Sequence, residues 1–186
     1  MDESELRAEL ERLHAASYGW ALACCSREPQ EAEDVLQTVY WKILAGKARY
    51  DGRAEVKTWL FAVIRRTAAD AVRKKTLRRL LMLDYEREAV SDQASRSSDA
   101  TIERSEMQPL FQNALAALPP RQQQVLELVF YHELTIEQAA KVMCVSLGSA
   151  RTHYERGKQR LRERMNETGV LDERRTTRRE NPATLP

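Results

Sequence analysis

Between Ser149 and Lys158 the chain sets out seven polar side chains: Ser149, Arg151, Thr152, His153, Glu155, Arg156 and Lys158. Their chemistry is that of recognition. Arginine forks match the paired acceptors on the major-groove edge of guanine, hydroxyls act as donor or acceptor, and a glutamate accepts from the amino group of cytosine while repelling phosphate. Lys158 and the neighbouring Arg160 suit phosphate oxygens. A second set lies upstream, where Lys57, Arg65, Arg66, Arg73, Lys74 and Lys75 are interleaved with Tyr50, Trp59 and Phe61. Cations there attract a phosphate backbone, and aromatic faces stack unpaired bases. Trp59, within a Trp-Leu-Phe run, is expected in the core, where aromatic burial is most favourable. Trp41 is balanced between core residue and protein-contact anchor.

Bond-making chemistry is not legible. No carboxylate pair accompanies a histidine, and no glycine-rich loop is shaped for phosphate. His14, His132 and His153 are far apart, and Cys24, Cys25 and Cys144 lack metal-ligand spacing. The expectation is therefore no catalytic residue, metal, cofactor or small-molecule substrate. The cysteines read as small hydrophobes of a reducing compartment, with a redox role as the lesser reading.

These side chains need helices to carry them. Leu6, Leu10, Leu13 and Ser17 form a stripe that predicts one helix over 4–26, broken by Pro29. Val35, Val39 and Ile43, widened by Leu36 and Tyr40, predict a helix over 31–45 ended by Gly46. Leu60, Ile64, Ala68, Ala71 and Val72 predict a long helix from Ala54 to about Leu81. After a polar stretch, helices are expected over 106–117, 119–132, 136–143 and 147–166. Thr135-Ile-Glu-Gln138 reads as a capping box. The helix that follows is expected to bury Ile136, Ala139, Ala140 and Met143, with Ser146 capping the next helix and Ala150 and Tyr154 turned inward. This is the layout of a helix-turn-helix whose second helix enters the major groove.

The fold class expected is all-α: two small helical domains joined by a flexible linker, the second a helix-turn-helix domain. Residues 1–82 form the first, 83–106 the linker, 107–166 the second, and 167–186 a disordered tail. Charge follows the same division. The formal net charge of +2 hides nine acids and three bases over 1–36, then twelve bases and three acids over 37–81. Residues 82–106 are acidic again, and 151–186 hold ten bases against six acids. Two basic blocks on either side of an acidic one point to two polyanion contacts. The longest apolar runs, such as Trp59 to Ile64, fall far short of the ~20 residues that span a bilayer. With an acidic N-terminus unlike a secretory signal, a soluble cytoplasmic protein is expected.

Over residues 10–165 the sequence resembles the bacterial sigma factors of the extracytoplasmic-function group, within the sigma-70 superfamily. Ala32-Glu-Asp-Val-Leu-Gln-Thr-Val-Tyr-Trp-Lys-Ile resembles the A-E-D-x-x-Q-x-x-F helix that docks on the clamp of RNA polymerase. The resemblance implies polymerase contacts by Asp34, Gln37, Thr38 and Trp41. The stretch from Tyr50-Asp to Trp59-Leu, followed by Arg65-Arg-Thr-Ala-Ala-Asp70 and Arg73-Lys-Lys, is similar to the part that opens and reads the minus-ten element. It implies DNA contacts by Tyr50, Arg53, Lys57, Arg65, Arg66, Thr67, Asp70, Arg73 and Lys74. Leu118-Pro-Pro-Arg-Gln-Gln-Gln-Val-Leu resembles the L-P-x-x-x-R-x-V-x-x-L signature, and Leu134 to Leu161 resembles the minus-thirty-five reader. Core RNA polymerase, promoter DNA and an anti-sigma factor, often membrane-bound, are the implied partners.

Departures from the family pattern are few. Thr67 stands where asparagine is usual, Cys144 replaces the turn glycine, and His153 and Glu155 replace an arginine and a neutral or aromatic residue. A conventional helix-turn-helix regulator, acting without polymerase, is the alternative reading.

Overall fold

A computed structural model describes residues 2–83 and 107–167, and among these it contains eight α-helices and no strand. The polar stretch over 83–106 and the tail over 167–186 lie, apart from their first residues, outside the described residues. α1 (Glu3–Arg12) opens on a capping box, Glu5 N–H donating to Asp2 Oδ1 and Asp2 N–H to Glu5 Oε2, both at 2.8 Å. α2 (His14–Cys24) follows after one residue. The apolar stripe predicts a single helix here, and the structure divides it. Leu13 takes φ −87°, ψ 0°, well off helical ψ, and buries its side chain. Hydrogen bonding nevertheless passes across it, from Leu13 N–H to Glu9 O at 3.0 Å and from Ser17 N–H to Leu13 O at 2.8 Å.

α3 (Pro29–Leu44) starts with proline in the first turn, where a missing N–H costs nothing. It buries Ala32, Val35, Leu36, Val39 and Ile43. Gly46, at φ +67°, turns the chain out of the helix, and Lys47 N–H bonds back to Lys42 O at 2.8 Å. α4 (Val56–Leu83) buries Leu60, Phe61, Ile64 and Ala68 in its first half. From residue 71 to 81 it is exposed throughout. Ala71 and Val72 therefore do not extend the buried stripe as their spacing predicts, because α3 and α4 leave a groove between them at that level.

The second set is α5 (Met107–Ala116), α6 (Pro120–Phe130), α7 (Ile136–Met143) and α8 (Leu147–Glu167). The bounds of α7 are those predicted, although Ile136 is only half-buried and Val142 joins Ala139, Ala140 and Met143 inside. α6 and α8 cross at Gly157, where a Cβ would lie 3.1 Å from Leu126 Cδ1 and 3.3 Å from the Gln122 carbonyl oxygen. The crossing is close enough that a Cβ there would press on its neighbours.

The two sets of helices also meet, α4 against α7 and α2 against α6, and their buried residues form one continuous cluster. At its centre Trp20 is fully buried, donates its indole N–H to Phe61 O at 3.0 Å and stacks on the Phe61 ring. His132, from the turn after α6, sits edge-on to both rings. Burial, with Lys57 and Arg27 close by, pushes its imidazole down to about 4.

Two outcomes follow from this packing. Gly157→Ala is expected to lower stability by about 1–2 kcal/mol, since the Gln122 backbone must yield. Gly148→Ala, whose Cβ meets nothing closer than 4.0 Å, should be neutral or stabilising. Urea denaturation of both variants checks this. The second outcome concerns acid. An unfolded His132 takes up a proton near 6.5 while the folded one refuses it until about 4. Stability should therefore be retained above pH 6.5 and fall toward pH 4, by up to about 3 kcal/mol. Glu127, whose pKa burial raises, works in the opposite sense by a smaller amount. Unfolding free energies of wild type and His132→Gln between pH 7 and 4 test it, the variant having the flatter profile.

Candidate nucleic-acid interface

The turn that presents α8 is built from side-chain caps. Gln138 N–H donates to Thr135 Oγ1 at 3.1 Å, and Thr135 N–H donates to Gln138 Oε1 at 2.8 Å, as the sequence predicts. Ser149 N–H donates to Ser146 Oγ at 3.1 Å, which starts α8. Between the caps, Cys144 closes α7 at φ 53°, ψ 48°, a left-handed conformation that costs a non-glycine residue about 1–2 kcal/mol. Ala150 is fully buried and Tyr154 half-buried, so α8 turns the predicted face inward.

Its outer face carries Ser149, Arg151, Thr152, Glu155 and Arg156 exposed, with His153 and Lys158 half-buried. Several are held by local bonds. The Ser149 hydroxyl meets Ser146 Oγ at 2.9 Å, and the Thr152 hydroxyl donates to Gly148 O at 3.0 Å. Lys158 lies 3.3 Å from Glu155 and 5.1 Å above the Tyr154 ring. Such a surface pair contributes little to stability and is easily exchanged for a phosphate. Arg160, read as a phosphate contact, instead donates to Gln122 Oε1 at 3.2 Å and ties α8 to α6.

On α3, Asp34, Gln37, Thr38 and Trp41 share one exposed face, opposite the buried Val35, Leu36, Val39 and Ile43. Trp41 is 54% exposed, with Lys47 Nζ 4.1 Å above its ring, so it is a surface residue. Asp34 and Thr38 line a groove of about 370 Å³ whose far wall, on α4, includes Asp70 and Lys74. Arg66, Asp70, Arg73 and Lys74 are exposed, Arg73 lying 3.6 Å from Asp70. Arg53 is exposed beside Asp51.

Four of the expected contacts are already engaged. Thr67 is 5% exposed, and its hydroxyl accepts from Lys42 Nζ at 3.0 Å, because position 67 falls on the stripe that also buries Ile64 and Ala68. In this structure it packs inward with its hydroxyl held by Lys42. Tyr50 donates its hydroxyl to Ala54 O at 2.5 Å and sets its ring 5.3 Å from Trp59. Lys57 Nζ donates to His132 O at 2.6 Å, and Arg65 Nε to Gln124 Oε1 at 3.0 Å. Nothing in the residue pattern points to these partners, nor to that of Arg27, whose guanidinium lies 2.6 Å from the buried Glu127. Glu127 alone left a trace, as an acid flanked by leucines within an apolar helix. Burial raises the thiol pKa of Cys24, and that of Cys25 to about 11, which weighs against redox chemistry at that pair.

Residues 10–78 match the family described as Sigma-70 region 2, and residues 114–163 match Sigma-70, region 4. The chain belongs to the sigma-70 family. Its relatives put it in the extracytoplasmic-function group. It is 29% identical over 142 residues to the ECF RNA polymerase sigma factor SigX of Bacillus subtilis, covering 75% of this chain and 73% of that one. With the RNA polymerase sigma factor CarQ of Myxococcus xanthus it shares 27% over 157 residues, covering 83% and 86%. The fold of the sigma factor RpoE, solved in complex with the anti-sigma factor NepR from Bartonella quintana, superposes with TM-score 0.70 at 23% identity, covering 87% of this chain and 97% of that one. CnrH in complex with the cytosolic domain of CnrY gives 0.56 at 15%, covering 92% and 90%. Region 2 thus spans α2, α3 and most of α4, and region 4 spans α6 to most of α8.

In this sigma factor the turn residue is the place to relieve strain. Cys144→Gly should raise stability by about 0.5–1 kcal/mol, the left-handed penalty exceeding the added chain entropy of glycine. Thermal unfolding of the variant measures it.

Proposed function

We propose a division of labour among the residues of this sigma factor, which binds core RNA polymerase and directs promoter-specific transcription initiation. Residues 1–82 act as the unit that binds polymerase and reads the minus-ten element, 83–106 as the linker, and 107–166 as the minus-thirty-five reader. Asp34, Gln37, Thr38 and Trp41 form the polymerase face. Arg66, Asp70, Arg73 and Lys74 hold the minus-ten strand, joined by Tyr50, Arg53, Lys57 and Arg65 once these leave their present partners. Strand opening is then coupled to capture of unstacked bases. Upstream, Arg151, Thr152, Glu155 and Arg156 reach base edges, Ser149 and His153 flank them, and Lys158 takes a phosphate. The chain itself makes and breaks no bonds, and it works in the cytoplasm. RpoE and CnrH were each solved with a partner protein bound, an anti-sigma factor in the case of RpoE. An anti-sigma partner is proposed for this chain as well.

One observation carries the reading. A capped turn fixes a helix whose exposed face holds Arg151 and Arg156, and the same chain offers a separate exposed face around Asp34 and Trp41. A regulator that acts alone has no use for the second face. In vitro transcription with core polymerase and this chain, with start sites mapped across a genome, tests it, the expected result being initiation at promoters sharing two spaced elements. Arg156→Ala should weaken holoenzyme binding to the upstream element by roughly 1–3 kcal/mol and relax its sequence preference. Asp34→Ala with Trp41→Ala should reduce polymerase binding and leave recognition of upstream DNA intact. Specific DNA binding without any polymerase-dependent transcript would favour the lone regulator.

A further inference from the structure

Four exposed side chains of α8 lie side by side on the face assigned to the major groove, and their hydrogen-bonding polarity differs. At 3.6 residues per turn their order round the helix is Arg151, Glu155, Thr152 and Arg156, about 40°, 60° and 40° apart. The two arginines have donors only, and the Glu155 carboxylate has acceptors only. Thr152 is set by a bond within the helix. Its hydroxyl donates to Gly148 O at 3.0 Å, so the proton is turned back along α8 and the lone pairs of Oγ1 are left for a partner. Ser149 has the opposite polarity, since its oxygen accepts from the Ser146 hydroxyl at 2.9 Å and its own proton remains to be given. The face thus presents two neighbouring acceptors between two donor forks. Lys158, 3.3 Å from Glu155, offsets the charge of the carboxylate and lets an acid approach a polyanion.

We propose that Thr152 and Glu155 act as an acceptor pair, each meeting an exocyclic amino group, adenine N6 or cytosine N4, on its own base. Every base pair shows the major groove one amino group and one keto oxygen, and the strand that holds the amino group distinguishes the pair from its reverse. An acceptor-only side chain therefore reads orientation. It takes adenine or cytosine on the strand it faces, and it rejects guanine and thymine there. A free hydroxyl is indifferent, because it meets either polarity, and the bond to Gly148 removes that freedom from Thr152. A paired base keeps one amino hydrogen for the groove, so two acceptors need two bases. Glu155 is among the departures from the family pattern, so this preference belongs to this chain.

The base preference rests on the assignment of α8 to the minus-thirty-five element, and the test keeps the two apart. Selection from a randomised duplex pool with holoenzyme, the full chain plus core polymerase, should return an upstream element. At two neighbouring positions it should tolerate exchange of adenine with cytosine better than reversal of the pair. Preference at one of them should be lost in Glu155→Ala. At the other it should be lost in Thr152→Val, which keeps the methyl group and removes the hydroxyl. Unsubstituted purine in place of adenine, or pyrimidinone in place of cytosine, deletes one amino group. Each deletion should lower the affinity of wild-type holoenzyme by about tenfold and leave the corresponding variant indifferent. Glu155→Gln, able to donate as well as accept, should admit guanine or thymine at the Glu155 position. Deletions without effect on wild type would overturn the acceptor pair. Losses of equal size in wild type and both variants arise from the weakened base pair and would overturn it too. A preference kept by Thr152→Val assigns that position to the methyl group and removes Thr152 from the pair. A pool that returns no upstream element removes α8 from promoter reading altogether, and the acceptor pair falls with it.

Discussion

The indole of Trp20 ties the molecule together. It is fully buried in α2, it gives its only hydrogen bond to the backbone of α4 at Phe61, and its ring is shared between Phe61 of region 2 and His132 of region 4. An indole N–H buried without an acceptor would cost about 1–3 kcal/mol, so α2 and α4 are constrained to this register. α3 is then placed by its apolar face against both, and Asp34, Gln37, Thr38 and Trp41 point outward. On the other side, the same aromatic surface offers the slot into which the turn after α6 inserts. One side chain thus takes part both in the packing of the first set of helices and in its join to the second.

Periodicity and capping make most of the helices legible in the sequence. The capping box at Thr135, the stop at Gly46 and the bounds of α7 depend on neighbours in sequence, and local chemistry is sufficient for them. Where tertiary partners decide, the sequence was silent. Leu13 interrupts the first helix because the core draws its side chain in. Ala71 and Val72 have helical spacing, yet nothing covers them. Thr67 and Arg160 have polar side chains that look available and are instead bonded to Lys42 and Gln122. Gly157 carries no signal of its own among the polar residues of α8, since only the closeness of α6 shows what a Cβ would meet there. The resemblance to sigma factors supplied roles, but it gave no sign that Lys57 and Arg65 have partners within the chain.

Charge segregation takes on a second meaning in this light. The basic block over 37–81 suggests a surface waiting for nucleic acid. In the folded chain part of it is already engaged: Lys75 is paired with Glu31 at 2.6 Å, while Lys57 donates to a carbonyl and Arg65 to an amide oxygen. Carbonyl and amide partners satisfy a donor without cancelling its charge, so the field persists while the donors are occupied. The charge of these side chains and their hydrogen-bonding capacity are thereby separated: the first is felt at a distance, the second is used within the chain.

α4 has a length that its packing does not require. At about 1.5 Å per residue its 28 residues reach roughly 42 Å, while the buried contacts end at Ala68. The remainder bears Arg73, Lys74, Lys75, Arg78 and Arg79 with no acid between Ala71 and Leu81. Like charges crowded on a helix oppose its winding, and an unsupported segment of this length is marginal in water. A polyanion laid along such a stretch would relieve that repulsion, so the far half of α4 is the part of the helix whose winding responds to bound counter-charge and to salt.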